Sequence, residues 1–201
     1  MATATVTPPP APQPQNPPAA RMTAEEFGIK HSGDRVEYID GQVKEVPMAG
    51  GKHGKVCNWF AFYLTGHILA NDLGHVFIND TFVKVPTKDD PERVYGPDVC
   101  YVSYARLAKD AEVPRGVIPV TPELVVEVRS PSDTWGQVFR KVGDYLEVGV
   151  TVALVLDPDT RTASVYRNDP VNPQHIFGPT DTLTIPDVLP GFSVPVASLF
   201  V

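Results

Sequence analysis

Three ionisable residues stand in apolar stretches where charged side chains are not expected. Asp98 directly follows a proline, Glu127 lies inside an apolar run, and Lys141 borders the apolar stripe of the segment that comes next. Ionised side chains are rarely buried unless they are paired or hold a metal. Two carboxylates and an amine in this order suggest a divalent-metal site for phosphodiester hydrolysis.

The two carboxylates are the candidate metal ligands. If the strands that carry Asp98 and Glu127 are neighbours, both carboxylates converge on one cation, for which Mg²⁺ (or Mn²⁺) is the expected ion. Such a metal polarises a phosphate and lowers the pKa of an attacking water. Lys141 would then orient the water or stabilise charge that develops on the phosphate.

Each of the three residues also has a simpler interpretation. Asp98 can be a turn or capping carboxylate. Glu127 can form an ordinary salt bridge with Arg129 or Lys141. Lys141 can be a surface lysine that buries only its aliphatic stem.

Composition predicts one domain and a tail. The chain has 201 residues, and seven of its 22 prolines fall within the first 20, so residues 1–21 are predicted to be a disordered or polyproline II tail and 22–201 the domain. The net charge of −7 weighs against broad, non-specific nucleic-acid binding but does not exclude a nuclease.

No secretory signal or membrane-spanning run is visible, which predicts a cytoplasmic protein without membrane contacts. The two cysteines, Cys57 and Cys100, show no redox motif and no metal-ligand spacing. They are expected to be reduced thiols in or near the core.

The elements that must position these residues follow from local patterns. A capping box at Thr23 precedes a short helix, and Asp40-Gly41 predicts a hairpin. A long helix is expected from Gly51 to about Asp72. Further strands are predicted at about 75–79, 81–86, 98–102, 151–157, 162–167 and 181–185, with a short helix at about 103–109.

The segment around Glu127 is apolar on both faces, which is typical of a central strand, expected over 121–129. The helix after it is predicted to start at an N-cap, Ser132, and to run to about 148. On its polar side, Gln137 and Asp144 are expected to meet solvent. The whole order predicts an α/β (α+β) protein with a mixed β-sheet flanked by helices.

This arrangement resembles the PD-(D/E)XK nuclease superfamily. Pro97-Asp98 looks like the first half of its motif and Glu127-Val-Arg129 like the second, with Arg129 at the usual lysine place. Lys141 corresponds to the lysine that has moved to the next helix in several branches.

More closely, the chain resembles the Uma-two (Uma2) family, whose members are described as restriction endonucleases. The resemblance runs from about residue 23 to residue 201. It depends on the order and spacing of Glu37-Tyr-Ile-Asp-Gly41, His53 opening a helix, Gly96-Pro-Asp98, Pro122-Glu-Leu-Val-Val-Glu-Val-Arg-Ser-Pro-Ser132, Lys141…Tyr145…Gly149 and Leu189-Pro-Gly-Phe192.

The resemblance implies a restriction-endonuclease-like core and metal-dependent DNA cleavage. It suggests that Glu37 is a further acid near the site, although a strand-surface carboxylate is an equal alternative. His53 is either a phosphate or water contact or a satisfied core or capping histidine. Arg129, where family members more often have leucine, can contact phosphate or can neutralise Glu127 and prevent metal binding.

Three functions are therefore in competition. The first is a Mg²⁺-dependent endonuclease acting on DNA, for which cutting both strands would favour a homodimer. The second is a catalytically inactive nuclease-fold module that binds protein or nucleic acid. The third is a small-molecule phosphoesterase, which would need a deep pocket.

Overall fold

The computed structural model describes residues 21–201, so nearly all of the predicted proline-rich tail lies outside the described residues. The helices are α1 (Ala24–Lys30), α2 (Gly51–Asn71), α3 (Trp135–Glu147) and a final 3₁₀ helix (Val196–Leu199). The strands are β1 (Val36–Ile39), β2 (Gln42–Glu45), β3 (Gly74–Ile78), β4 (Val83–Lys84), β5 (Val94–Tyr95), β6 (Val99–Ser103), β7 (Leu124–Val128), β8 (Val152–Asp157), β9 (Thr162–Tyr166), β10 (His175–Phe177), β11 (Thr182–Thr184) and β12 (Ser193–Pro195).

A six-stranded mixed sheet in the order β10-β9-β8-β7-β6-β3 forms the centre of the domain. Only the β7–β8 pair is parallel, and α3 connects these two strands. A four-stranded sheet, β2-β1-β5-β4, lies beside it, and β11 and β12 form a separate pair. The predicted α+β class with a mixed sheet flanked by helices is confirmed.

Strand β7 is covered on both faces, as its sequence predicts. Val126 packs in the cluster that contains the buried residues of α2. Val125 packs in the opposite cluster with Tyr145 from α3. The two long helices therefore cover opposite faces of the sheet, and side chains that alternate along β7 point toward one or the other.

Local signals explain several boundaries. The capping box at Thr23 is present, and the turn between β1 and β2 has positive φ at both Asp40 (55°) and Gly41 (73°), as a type I′ hairpin turn requires. Helix α2 ends where Asp72 adopts the left-handed conformation.

Two expectations for helices were wrong. Ser103 ends β6 and residues 104–109 form turns and irregular backbone, in which the N–H groups of Arg106 and Leu107 both donate to the Ser103 carbonyl. Helix α3 is capped by Thr134, not Ser132, because Thr134 and Gln137 form a reciprocal capping box that Ser132 lacks. Gln137 therefore serves the helix terminus and does not simply meet solvent.

Among residues 21–201, no helix is both long and apolar enough to cross a membrane.

Candidate active site

Helix α3 brings Lys141 between two carboxylates from different strands. Its Nζ lies 2.7 Å from Oε1 of Glu37 on β1 and 3.4 and 3.5 Å from the two carboxylate oxygens of Glu127 on β7. One turn later on α3, the Tyr145 hydroxyl donates to Glu127 Oε1 at 2.7 Å. The helix, the hairpin and the central strand therefore meet at Lys141.

Asp98 stands at the start of β6, beside Glu127. The antiparallel register pairs Val99 with Val126, so one step farther along Asp98 faces Glu127. The Val128 N–H donates to Asp98 Oδ2 at 2.7 Å, and Nε2 of His53 lies 3.3 Å from the same oxygen. The Asp98 carboxylate therefore satisfies a backbone donor at the end of the β6–β7 pair as well as facing the site.

Asp98, Glu127 and Lys141 line one small cavity of about 80 Å³, together with His53. The structure thus brings together the three residues that are far apart in the sequence. Four carboxylates line this cavity (Asp80, Asp98, Glu127 and Asp133) against two permanent cations (Arg35 and Lys141). With Glu127 ionised and His53 neutral, the difference, 4 − 2 = 2, is an excess of two negative charges.

The protonation behaviour of Glu127 reflects this crowding. Burial raises the pKa of Glu127 to about 7, against the lowering effect of Lys141 and with further raising by Asp98 and Glu37. Burial acts to lower the pKa of Lys141, but Glu127 and Glu37 outweigh it and hold that pKa above its usual range. Lys141 therefore stays protonated. Glu127 is not fully ionised near neutral pH, and a cation bound beside it would favour its ionised form.

A divalent cation fits this donor set. Asp98 and Glu127 supply carboxylate oxygens, which are the hard ligands that Mg²⁺ and Mn²⁺ prefer. The excess of negative charge in the cavity would be neutralised by one such ion. These two residues are therefore the candidate ligands, and Lys141 stands beside them.

Asp80 is a site residue that the sequence analysis did not identify. It lines the cavity, lies 3.4 Å from Arg35 and adopts a positive φ of 56°. Burial raises the pKa of Asp80, while Arg35 acts to lower it. The adjacent Asn79 also has a positive φ (61°), so the Asn-Asp pair was a turn signal that could have drawn attention to this position.

His53 links Asp98 to a thiol. It lies in the first turn of α2, and its Nδ1 is 3.4 Å from Sγ of Cys57, four residues farther on. Burial acts to lower the pKa of His53, but contact with Asp98 leaves it above its usual value. Burial also raises the pKa of Cys57 far above its usual range, with Asp98 adding to the effect.

Arg129 pairs with two aspartates and not with Glu127. Its Nη2 lies 3.1 Å from Asp157 Oδ1 and 2.8 Å from Asp159 Oδ2, and its guanidinium carbon stands 5.5 Å from the centre of the Trp135 ring. Arg129 still lines a larger adjoining cavity of about 280 Å³ that also includes Glu127 and Lys141.

A second charged group fixes the orientation of α3. Arg93 contacts Asp144 Oδ2 at 2.6 Å, Asp90 Oδ2 at 3.2 Å and Asp40 Oδ1 at 3.1 Å. The Tyr95 hydroxyl also donates to Asp144 Oδ2, at 2.6 Å. Asp144 is therefore not a solvent-facing residue as expected, because Arg93 ties this part of α3 to the hairpin turn.

Comparison with known proteins agrees with the architecture. Residues 22–197 match the family model described as "Uma2: Putative restriction endonuclease". Among solved structures, the chain is similar to a "putative nuclease belonging to DUF820" from Anabaena variabilis ATCC 29413, with a TM-score of 0.72 and 21% identity, covering 89% of this chain and 97% of that one. That likeness shows a shared fold. No curated protein sequence matches the chain. The match over 22–197 confirms the resemblance inferred from the motifs, and the chain belongs to the Uma2 family.

Proposed function

We propose that this protein is a Mg²⁺-dependent endonuclease that hydrolyses DNA phosphodiester bonds. The observation that carries the proposal is the convergence of Asp98, Glu127 and Lys141, from three different elements, on one cavity. In the proposal, Asp98 and Glu127 hold the metal. Mn²⁺ is expected to substitute for Mg²⁺, because it accepts the same oxygen ligands.

The metal, when bound, would polarise the phosphate and lower the pKa of the attacking water. Lys141 supplies a fixed positive charge next to the ligands. Its contacts with Glu127 are long, at 3.4 and 3.5 Å, whereas Glu37 holds it at 2.7 Å. Glu37 therefore aims the ammonium, which keeps donor capacity for a water or a phosphate oxygen.

His53 orients the first carboxylate. It shares Asp98 Oδ2 with the Val128 N–H, so the position of this oxygen is fixed by a backbone group and a side chain. The imidazole is also close enough to the cavity to contact a water or phosphate there. Its proposed role is to position Asp98, with direct substrate contact as a second task.

A nucleic-acid substrate is supported by the cavity of about 280 Å³ next to the site. Lys44, Arg129 and Arg140 line it together with Glu127 and Lys141. Basic side chains beside a hydrolytic centre position a phosphate backbone without reading its sequence. Four acids (Glu37, Glu45, Glu127 and Asp133) line the same cavity, so these cations offer local phosphate contacts and do not change the net charge of −7.

The pairing of Arg129 with Asp157 and Asp159 bears on the competing hypothesis of an inactive module. That hypothesis would be favoured if Arg129 neutralised Glu127 and so prevented metal binding. Since its guanidinium pairs with Asp157 and Asp159, Arg129 does not neutralise Glu127, whose charged partner is Lys141. We therefore favour the active enzyme. The homodimer and the cytoplasmic location remain predictions.

The test is cleavage of supercoiled and linear DNA by the full chain with Mg²⁺ or Mn²⁺. We expect cleavage by the wild type and a loss of at least about 100-fold in Lys141→Met, which lacks the charge at the site. Lys109→Met is the matched control, because Lys109 is an exposed lysine that pairs with Asp72. A wild type that cuts no DNA with either metal, or a Lys141→Met variant as active as the control, would contradict the proposal.

A further inference from the structure

We propose that His53, Cys57 and Asp98 form a second cation site, selective for a thiophilic ion such as Zn²⁺, which shares Asp98 with the Mg²⁺ site. One ligand atom from each of the three residues can be chosen so that all lie within 4.8 Å of one another. The existence of this site does not depend on nuclease activity. Its effect on DNA cleavage rests on the proposed function.

The geometry follows from the spacing on α2. His53 and Cys57 are four residues apart, so both side chains project from the same face of the helix. Asp98 approaches that face from the start of β6, with 3.3 Å between its Oδ2 and His53 Nε2. The Cys57 sulfur lies 3.4 Å from the other ring nitrogen.

One imidazole gives a single nitrogen to an ion, and with that nitrogen chosen the three ligand atoms lie within 4.8 Å of one another. Zn²⁺ binds nitrogen, oxygen and sulfur at about 2.0–2.3 Å, so neighbouring ligand atoms of a tetrahedral site are about 3.3–3.8 Å apart. The three side chains would therefore close in by up to about 1 Å to hold the ion. The thiol would give up its proton to solvent as the sulfur–metal bond forms.

The surroundings leave room for the ion and a water. His53, Cys57 and Asp98 line a cavity of about 210 Å³ together with Asp80 and Asn58. The side chains of His53 and Asp98 are only 11% and 12% exposed. Three protein ligands with an open fourth position are typical of accessible zinc sites, and Asp80 stands near enough to add negative charge.

Ligand chemistry separates the two sites around Asp98. On the β7 side the neighbouring donors are carboxylate oxygens, which suit Mg²⁺. On the α2 side they are an imidazole and a thiol, which bind Zn²⁺ or Co²⁺ far better than Mg²⁺. An ion held by Cys57 would also coordinate the Asp98 carboxylate, which would then be less available to Mg²⁺. We therefore expect such an ion to inhibit Mg²⁺-dependent cleavage.

Cobalt binding tests the site without any assay of activity. Co²⁺ is titrated into the full chain, and we expect a thiolate-to-cobalt charge-transfer band in the near ultraviolet that saturates at one equivalent and disappears when Zn²⁺ is added. Cys57→Ala and Cys57→Ser should lack the band, and His53→Gln should weaken Co²⁺ binding at least tenfold. Cys100→Ala is the matched control, since Cys100 is fully buried in the core on β6.

A wild type that binds cobalt without the charge-transfer band, or binds none, overturns the inference. A band that persists in Cys57→Ala and vanishes in Cys100→Ala overturns it as well. Thermal melting of each variant checks that a missing band does not come from unfolding. If Cys57→Ala is unfolded, Cys57→Ser provides the same comparison.

Zinc inhibition then connects the site to cleavage. Each variant is compared with its own rate in Mg²⁺ alone, and we expect Zn²⁺ to inhibit the wild type at least tenfold more strongly than Cys57→Ser. A cobalt band in a protein that never cuts DNA would support the thiophilic site and refute the nuclease. Cleavage without a band would refute the thiophilic site alone.

Discussion

Replacement of Asp98 by asparagine keeps an oxygen beside the Val128 N–H but removes the negative charge that faces Glu127. Replacement by alanine removes both. The Val128 N–H donates to Asp98 Oδ2 at 2.7 Å, and Val128 itself is 2% exposed. The two variants therefore separate what the carboxylate does for the sheet from what it does for a cation.

The expected magnitudes follow from those contacts. Alanine leaves a buried N–H without a partner, which costs about 1–3 kcal/mol of the free energy of unfolding. Asparagine retains an acceptor and should cost less than about 1 kcal/mol. It loses the charged contact with His53, but it also removes the repulsion between Asp98 and the nearby carboxylates. DNA cleavage should fall at least about 100-fold in both variants, since each lacks the metal-binding charge.

The assay combines urea denaturation with plasmid cleavage in Mg²⁺. Asp72→Asn is a suitable control, because Asp72 is an exposed residue at the end of α2 that adopts a left-handed conformation that asparagine tolerates. An asparagine variant that cleaves at the wild-type rate would refute the role of Asp98 as a metal ligand. Equal stability of the alanine and asparagine variants would refute its role in the sheet.

Three further predictions concern other parts of the molecule. Glu37→Gln should lower cleavage about tenfold while changing Mg²⁺ affinity less than twofold, because it loosens Lys141, 2.7 Å away, and leaves the ligands in place. Burial acts to raise the pKa of Asp157, but the contacts with Arg129 and the hydrogen bond from the Asp159 N–H together hold that pKa below the usual 3.8. Asp157 therefore stabilises the fold above pH 4, and Asp157→Asn should lower the free energy of unfolding by about 1 kcal/mol at pH 7, a difference that disappears as the pH falls toward 2. Gly74→Ala should destabilise the protein by more than about 2 kcal/mol in urea, because a Cβ there would overlap a carbonyl oxygen on β6.

Matched variants complete these experiments. Glu112→Gln, at an exposed position, controls for Glu37→Gln, and unchanged cleavage in both would contradict the aiming role. Asp110→Asn, at an exposed position, should show no pH-dependent change in stability. Gly66→Ala lies on α2 with open space around it and should be neutral or slightly stabilising; equal losses at Gly66 and Gly74 would refute the steric argument.

The sequence predicted the elements whose signals are local. The capping box at Thr23, the Asp40-Gly41 turn and the two-sided apolar pattern of β7 depend on residues close together in the chain, and all three appear in the structure. The start of α3 was placed two residues early, because Ser132 and Thr134 are both acceptable N-caps. The reciprocal bond from Gln137 decided between them.

Features that depend on distant contacts were not predictable. The short strand β5 contains only Val94 and Tyr95, and it exists because β1 and β4 pair with it. Asp144 was expected in solvent, but Arg93, 51 residues away, binds it. The convergence of Asp98, Glu127 and Lys141 was inferred from the motifs, whereas Asp80 entered the site through a turn between strands that carries no metal-binding pattern.

The contacts of Arg93 have a consequence for relatives of this protein. The guanidinium connects the hairpin turn, the loop at Asp90 and α3. Arg93 does not line the cavity that contains Lys141, so the direction of the Lys141 ammonium depends on ion pairs outside the site. A homologue can keep every acid and the lysine, adopt the same sheet, and still lack cleavage activity because the Arg93 ion pairs are missing. Inspection of the motif alone would count such a protein as an enzyme.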